Sequence, residues 1–307
     1  MNRIWFAKGL RGMIAKRIQV DLLRQGFFVG AVEKFADGVF GGDTESALRT
    51  LQSSRGLSIT GSIDESTWKQ LTVDPLPTLF ERCLSITAEF EGHGFGLLQG
   101  NFDGAGLTWG VIGFTLSNGE IQNLLQEVDS AAPGTIDRVM GDLAETWRAK
   151  MKLPRLEQVA WANSISSGPS KADVPPDWKS AFARLGDEPI VKRLQLQRAY
   201  DSYFIPAAAT ARKLKLLSEL GVALSFDCHV QNGQSRITSV AELVPIAGAI
   251  PEAEMRMRWA RRIADLSSSE WRQDVLGRKS TLASGSAMFR GRNYELKNWG
   301  LTEAVAA

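Results

Sequence analysis

Apolar residues recur at three- and four-residue steps along most of the chain. Such steps place side chains on one face of an α-helix and predict amphipathic helices. The steps are clear at 13–23 and 47–51, and they return at 120–128, 139–147, 191–204, 207–220, 221–230 and 253–266. The pattern predicts a mainly α protein.

Two prolines divide the chain near its first quarter. Residues 8–71 are spaced as an amphipathic helix, a glycine turn, a second helix, a turn and a short helix, which predicts a small three-helix domain. The sequence VDPLPT at 73–78 then prevents a continuous helix, because proline breaks helices and restricts the residue before it. We therefore predict one domain at 1–72, a linker at 73–78 and a second domain at 79–307.

One stretch departs from the helical pattern. Residues 89–114, EFEGHGFGLLQGNFDGAGLTWGVIGF, are rich in glycine and poor in charge. Within it LTWGVIGF carries β-branched and aromatic residues after a DGAG turn, which predicts a β-hairpin set into the helical domain. The stretch has three carboxylates, Glu89, Glu91 and Asp103.

Helical phase separates the first two carboxylates. Glu91 continues the apolar stripe of Leu84 and Thr87, whereas Glu89 points nearly the opposite way and is expected in solvent. A carboxyl group on an apolar stripe is favoured in its protonated form, so Glu91 is the candidate general acid. Asp103 is either a turn former before glycine or the partner carboxylate that glycoside hydrolysis needs.

Composition limits the possible functions. The chain has 307 residues, 44% hydrophobic and 23% charged, with a net charge of +2, which fits two globular domains and does not indicate a nucleic-acid partner. No apolar run reaches the length of a signal peptide or a membrane span. We therefore expect synthesis in the cytoplasm, no stable membrane association and a monomer. Cys83 and Cys228 lie in apolar segments and are expected to be reduced.

Other catalytic chemistries have little support in the residues. A zinc amidase needs a set of metal ligands, but the chain has only two histidines, His93 and His229, and His229 lies in a predicted helix. A nucleophile-elbow pattern is missing from the sequence. We expect no metal and no cofactor.

The first domain resembles the peptidoglycan-binding module of cell-wall hydrolases. The shared motifs are IQ at 18–19, DGVFG at 37–41 with Thr44, LQ at 51–52, GL at 56–57, and Gly61 with Asp64, Thr67 and Trp68. The resemblance implies bacterial peptidoglycan as the partner, bound through Asp37, Phe40 and Thr44. A spacer that keeps this fold without binding glycan is the alternative.

The second domain resembles the chitosanase-like glycoside hydrolases of the lysozyme superfamily. The motifs are Phe90-Glu91, DGAGLTWGVIGF at 103–114, Gln197 with YFIPA at 203–207, LGVALSFDCHVQNG at 220–233, and Arg278 with Thr281. The resemblance implies a lysozyme-like α+β fold that hydrolyses β-1,4 glycosidic bonds with inversion.

Residue roles follow from the same resemblance. It implies Glu91 as general acid, Asp103 as general base and Thr108 as the residue that helps hold the attacking water. It also implies that substrate lies against Gln99, Asn101 and Trp109. Asp227 and Arg278 are expected behind the catalytic residues, where their charges influence the electrostatic potential of the cleft.

Three departures from the family concern the substrate. Ala105 replaces the arginine of the DGRG motif, Gln99-Gly100 replaces an acidic pair before the base, and the loop between acid and base is shorter. Chitosan is a polycation, so fewer acids and a more open groove favour peptidoglycan, and we predict a muramidase that reaches the wall by holin-type release or by injection. The alternatives are a chitosanase and a non-catalytic wall-binding component.

Overall fold

The computed structural model describes residues 3–28, 31–92, 94–242 and 250–306. These residues form helices joined by short loops, with two small antiparallel sheets, so the mainly α prediction is confirmed. The helices are α1 Met13–Arg24, α2 Val32–Phe35, α3 Gly42–Ser54, α4 Glu65–Leu71, α5 Leu79–Glu91, α6 Glu120–Ala131, α7 Thr135–Met140, α8 Leu143–Met151, α9 Arg155–Ile165, α10 Pro176–Asp187, α11 Pro189–Ala199, α12 Ile205–Lys213, α13 Glu219–Asn232, α14 Gln234–Glu242, α15 Glu252–Ala264 and α16 Arg272–Ser284. The strands are β1 Leu98–Gln99, β2 Thr108–Trp109, β3 Phe114–Thr115, β4 Ser286–Phe289 and β5 Arg292–Glu295.

The chain forms two compact units. The first unit combines Met1–Phe90 with Ser202–Ala307, and the second is Glu91–Asp201. The division falls at the last residue of α5 and inside a π-helical turn, Tyr200–Phe204. No helix among the described residues is long and apolar enough to cross a membrane.

The predicted three-helix module is α1, α3 and α4, with the short α2 added between the first two. A buried glutamine on α1 holds the loop before α3. Gln19 Nε2 donates to Asp37 Oδ1, Val39 O and Thr44 Oγ1, and Gln19 Oε1 accepts from Gly38 N. Because this one side chain satisfies four loop groups, it fixes the loop conformation.

A second glutamine repeats this arrangement on α3. Gln52 Nε2 donates to Thr60 Oγ1, Ser62 O and Thr67 Oγ1, and Gln52 Oε1 accepts from Gly61 N. Asp64 caps the following helix by accepting from Thr67 N. The module is therefore an internal repeat of a helix and a glutamine-held loop.

The proline segment after the module is anchored. Asp74 is ion-paired with Arg17 on α1 at 2.8 Å, and its carbonyl oxygen accepts from Trp68 Nε1 at the same distance. Nearer the N-terminus, residues 3–12 contact the module through Phe6 and Ile63 and lie against α5 at Gly12 and Ser85, all within the first unit.

The rest of the first unit contains an element that periodicity did not predict. Strands β4 and β5 form a hairpin whose tight turn uses Arg290 and Gly291 with positive φ angles of 47° and 74°. Phe289 and Tyr294 of this hairpin pack edge-to-face on the ring of Phe90 in α5. The hairpin thus supports the last turn of α5.

The second unit carries the predicted β-hairpin, extended to three strands in the order β1-β2-β3. Helices pack against it, and an aromatic core forms around Phe182, on which Trp109 and Trp147 pack edge-to-face and Trp178 packs with its ring tilted by 32°. Two helix predictions were wrong in extent. The stripe at 139–147 is broken at Gly141, whose φ of 58° ends α7, and the predicted helix at 207–220 stops at Lys213.

Candidate active site

Glu91 is the last residue of α5 and is half-buried. The preceding residue, Phe90, is only 4% exposed and anchors the helix end. Helix α5 is buried on nearly all sides, so the single apolar stripe used to place Glu91 is not what distinguishes this residue. Its distinction is that the helix ends there and the side chain keeps access to solvent.

The expectation that Glu89 is solvated was wrong. Its side chain is 15% exposed and its Oε1 atom forms two ion pairs, with Arg11 Nε at 3.2 Å and with Arg292 Nη1 at 3.1 Å. The reason is that the polar face of α5 is covered by another part of the chain, which sequence phase alone does not reveal. Glu89 is a structural carboxylate.

Asp103 lies exposed at the tip of the turn between β1 and β2. Its Oδ1 atom accepts from Ala105 N at 3.0 Å, so the turn-forming role predicted for this residue is present. Asn101 closes the same turn, because its Oδ1 accepts from Gly106 N at 2.7 Å while its Nδ2 donates to Asn163 Oδ1 at 3.1 Å. The turn is therefore rigid and leaves the Asp103 carboxylate facing solvent.

Thr108 begins β2, directly opposite Gln99 of β1. The threonine side chain is buried at 4% exposure, and its Oγ1 atom has no hydrogen-bond partner among the described residues. A buried hydroxyl without a partner is costly unless a water or ligand satisfies it. This environment fits a hydroxyl that binds a water molecule.

Trp109 does not have the position that the resemblance implied. It is 0% exposed and packs edge-to-face on Phe182, so its ring belongs to the core of the second unit. Direct contact of the ring with substrate is therefore a wrong expectation. Alternation along β2 explains it, because Thr108 and Trp109 point to opposite faces of the strand.

Gly100 occupies a position where no side chain fits. A Cβ atom there would lie 2.4 Å from Lys171 O, 2.7 Å from Ser166 Oγ and 2.8 Å from Asp173 O. The backbone is held in this place by a hydrogen bond from Gly100 N to Ala172 O. The packing around residue 100 therefore excludes the second acidic residue of the pair that Gln99-Gly100 replaces.

Sequence analysis missed Gln195, a buried residue that holds the backbone at Phe95 and at Val111 by hydrogen bonds. Gln195 on α11 is fully buried, its Oε1 accepts from Val111 N at 2.9 Å and its Nε2 donates to Phe95 O at 2.9 Å. Gly110 passes so close that a Cβ would lie 2.5 Å from Gln195 Oε1. The motif glutamine chosen from the sequence, Gln197, is exposed and donates to Asp201.

Asp227 and Arg278 meet in the interior of the first unit. Arg278 Nη2 lies 2.7 Å from Asp227 Oδ1, and Lys279 Nζ, which the sequence did not single out, lies 2.5 Å from Asp227 Oδ2. Burial acts to raise the pKa of Asp227, but the charges and hydrogen bonds of Arg278 and Lys279 outweigh it and lower the pKa to about 2. Asp227 and Arg278, which the sequence singled out, thus form a buried cluster of three charges with Lys279.

The three residues expected to bind wall glycan in the module differ in exposure. Phe40 is 1% exposed in the core, so direct binding through its ring was a wrong expectation. Asp37 is exposed. It borders a cavity of about 160 Å³ that Lys34, Asp43 and Thr44 also line. Thr44 is 1% exposed and accepts a hydrogen bond from Gln19 Nε2.

The histidines give no metal site within the described part of the chain. His93 lies outside the described residues, and no group of three or more histidine, cysteine or acidic side chains there could hold a metal ion. His229 is buried, its Nε2 lies 2.9 Å from Thr210 Oγ1, and burial lowers its pKa to about 4. Cys83 and Cys228 are buried free thiols, and burial raises the pKa of Cys228 to about 11.

Comparison with known families agrees with both resemblances. Residues 14–71 match the peptidoglycan binding domain. Residues 87–256, more than half of the chain, match glycosyl hydrolase family 46. The chain belongs to glycosyl hydrolase family 46. It is therefore a glycoside hydrolase with an N-terminal peptidoglycan-binding domain. No curated protein matches the chain significantly.

Solved structures of chitosanases are similar to the chain at low sequence identity. A mutant chitosanase from Bacillus subtilis MY002 complexed with six GlcN is 18% identical, covers 71% of this chain and 94% of its own, and has a TM-score of 0.48. A Gynuella sunshinyii family 46 chitosanase in complex with chitotetraose is 16% identical, covers 72% and 98%, and has a TM-score of 0.49.

Proposed function

We propose that this family 46 enzyme hydrolyses β-1,4 glycosidic bonds of bacterial peptidoglycan, as a muramidase. The peptidoglycan-binding domain in the same chain is the observation that carries this substrate, because a binding domain raises the local concentration of the polymer that it recognises. The loop around Asp103 supports it. Gly100 leaves no room for an acidic side chain, so the loop lacks negative charge that a cationic glucosamine chain would favour.

The proposed mechanism is inversion by two carboxyl groups. Glu91, at the solvent-accessible end of α5, protonates the leaving glycosidic oxygen. Asp103 removes a proton from water as the water oxygen bonds to the anomeric carbon from the opposite face. Thr108 Oγ1 supports this role because it is available to hold that water. Inversion requires the two carboxyl groups to lie roughly 6.5–9.5 Å apart in the complex with substrate.

Chitosan hydrolysis is the second candidate, because the match to family 46 spans the proposed catalytic residues and the similar solved structures are chitosanases. Mass spectrometry of digests of purified cell wall and of chitosan separates the two. We expect new reducing ends on muramic acid from wall and little cleavage of chitosan. Rapid cleavage of chitosan beside intact wall glycan would contradict the substrate and leave Glu91 and Asp103 as the proposed acid and base.

The stereochemistry can be measured independently of the substrate. Proton NMR of freshly cleaved glycan should show the α anomer first, because a β-linked substrate gives an α product by inversion. If the β anomer forms first, Asp103 does not act as a base on water in the proposed way.

A further inference from the structure

The N-terminal segment 3–12 touches both the binding module and the helix that ends in Glu91. On the module side, Phe6 pairs with Ile63, and Arg11 pairs with Val39 as an isolated antiparallel bridge. These contacts fasten the segment across the two glutamine-held loops. We call residues 3–12 the strap.

On its other side, the strap covers the polar face of α5. The residues of this face, Arg82, Ser85 and Glu89, recur at three- and four-residue steps and therefore lie along one side of the helix. Gly12 lies over the middle of the face, where a Cβ would be in van der Waals contact with Ser85 O at 3.5 Å. The sequence predicts Glu89 of this face to be in solvent, but the strap and β5 cover it.

At the first turns of α5 the contact is a cluster of charges around a buried acid. Glu219 of α13 is 4% exposed and accepts from Arg82 at 2.9 Å and from Arg3 at 2.5 Å. Both arginines also donate to Gly300 O, and the Trp5 ring lies under the two guanidinium groups at 3.9 and 4.9 Å. Separation of Arg3 from Glu219 would leave a buried carboxylate with one partner fewer, which is energetically costly. The cluster therefore holds the strap against α5.

At the last turn the contact is the pairing of Glu89. Arg11 from the strap and Arg292 from β5 both bind Glu89 Oε1, so the carboxylate is held between the two ends of the chain. Glu89 lies two residues before Glu91. A helix end held by two ion pairs presents its last side chain in a narrower range of positions than a frayed end does.

We propose that the strap fixes the wall-binding module to α5 within the first unit, and that Arg11 is a positioning residue for the end of α5 that bears Glu91. This inference rests on the proposed role of Glu91 as general acid. Proton transfer depends on the placement of the donor, and a shift of about 1 Å can cost about 100-fold in rate. The module then serves catalysis on every glycan, long or short.

The test compares full-length variants on short soluble glycans, with peptidoglycan fragments and chitosan oligosaccharides assayed in parallel. We expect Arg11→Gln to lower kcat about tenfold with KM unchanged within about twofold, and Arg11→Lys to restore most of kcat because it keeps the charge. Lys8→Gln is the matched control. Lys8 is also in the strap, but it pairs with Glu45 inside the module at 3.2 Å and should leave kcat unchanged.

Hydrogen exchange gives a readout that needs no substrate. Amides of residues 87–91 should exchange faster in Arg11→Gln than in the wild type or Lys8→Gln, while amides of α13 should not change. If Arg11→Gln does not fold, Glu89→Gln removes the same ion pairs with little change in shape, and the same criteria apply.

The outcomes separate the two hypotheses. Wild-type kcat and wild-type exchange in Arg11→Gln would overturn the positioning role, as would an equal loss of kcat in Lys8→Gln. Glu91→Gln in the same assay reports on the acid itself. An active Glu91→Gln contradicts the proposed function, whereas an inactive Glu91→Gln beside a normal Arg11→Gln contradicts only the inference about the strap.

Discussion

At the scale of single residues, two glutamates on one helical turn have different environments. Glu89 is enclosed and paired with two arginines, while Glu91 is half-buried at the helix end. The Glu89 carboxylate is occupied by its two ion pairs, whereas a side chain at an accessible helix end can reach a substrate. Position in the fold, more than spacing in the sequence, separates their roles.

Substitution of each glutamate should separate stability from catalysis. Glu91→Gln removes the proposed proton donor and should lower kcat by about 100- to 10,000-fold with the melting temperature unchanged. Glu89→Gln should lower the free energy of unfolding by about 1–3 kcal/mol, because it breaks two charge-assisted hydrogen bonds, while kcat falls by only about tenfold. Thermal unfolding and initial rates measure both effects. The reverse pattern would exchange the two assignments.

His229 should make stability depend on pH. Its pKa is lowered by burial to about 4 in the folded chain, against about 6.5 when unfolded. As the pH falls through 6.5, the unfolded chain binds a proton at this residue that the folded chain does not bind until about pH 4. The folded state should therefore lose on the order of 3 kcal/mol between pH 6.5 and 4.

Denaturant unfolding at several pH values tests this. The variant His229→Gln keeps a hydrogen-bonding group for Thr210 and removes the titration, so its stability should fall less steeply between pH 6.5 and 4. Parallel slopes for the two proteins would show that His229 does not titrate as the structure indicates.

At the scale of elements, the site depends on how loops are held by distant helices. The β1–β2 turn is closed locally by Asn101 and Asp103, but the strands on either side are fixed by Gln195 and by the loop at 166–173. Such contacts leave no space for added atoms, so the shape of the loop is sensitive to small changes in volume.

Gly100→Ala tests that sensitivity. The added methyl group would collide with Lys171 O, which is backbone and cannot move alone, so we expect a loss of about 2–4 kcal/mol in stability. Gly42→Ala is the control, because Gly42 begins α3 and a Cβ there meets nothing within 4 Å. Equal melting temperatures for both variants would mean that the loop at 166–173 yields easily.

Local sequence patterns predicted many of the helices and turns of the fold. Helical spacing and turn residues were enough for the three helices of the module, the end of α5 and the DGAG turn, because each depends on neighbours in sequence. The pairing of Glu89 with Arg11 and Arg292 depends on residues far apart in the chain, as do the contacts of Gln195 and Lys279. Periodicity carries no information about such pairs.

At the scale of the whole molecule, the module shares an interface with α5 and α13 inside the first unit. Removal of residues 1–72 would uncover the polar face of α5 and leave Arg82 and Glu219 without the strap. We therefore expect the truncated protein to have a lower melting temperature, poor soluble yield and reduced activity on short glycans as well as on whole wall. Melting curves and rates on both substrates measure this. A truncated protein with full stability and full activity on short glycans would show that the module is only a tether.

The strap also affects the order in which the molecule can fold. Arg3 donates to Gly300 O, across a separation of 297 residues, and Arg292 completes the clamp on Glu89. During synthesis the module and α5 leave the ribosome long before β5 and Gly300 exist. Contacts between such distant parts of a chain form slowly, because closing the intervening loop costs entropy first. The full set of contacts that holds the helix end bearing Glu91 can therefore form only after residues 292–300 have been translated.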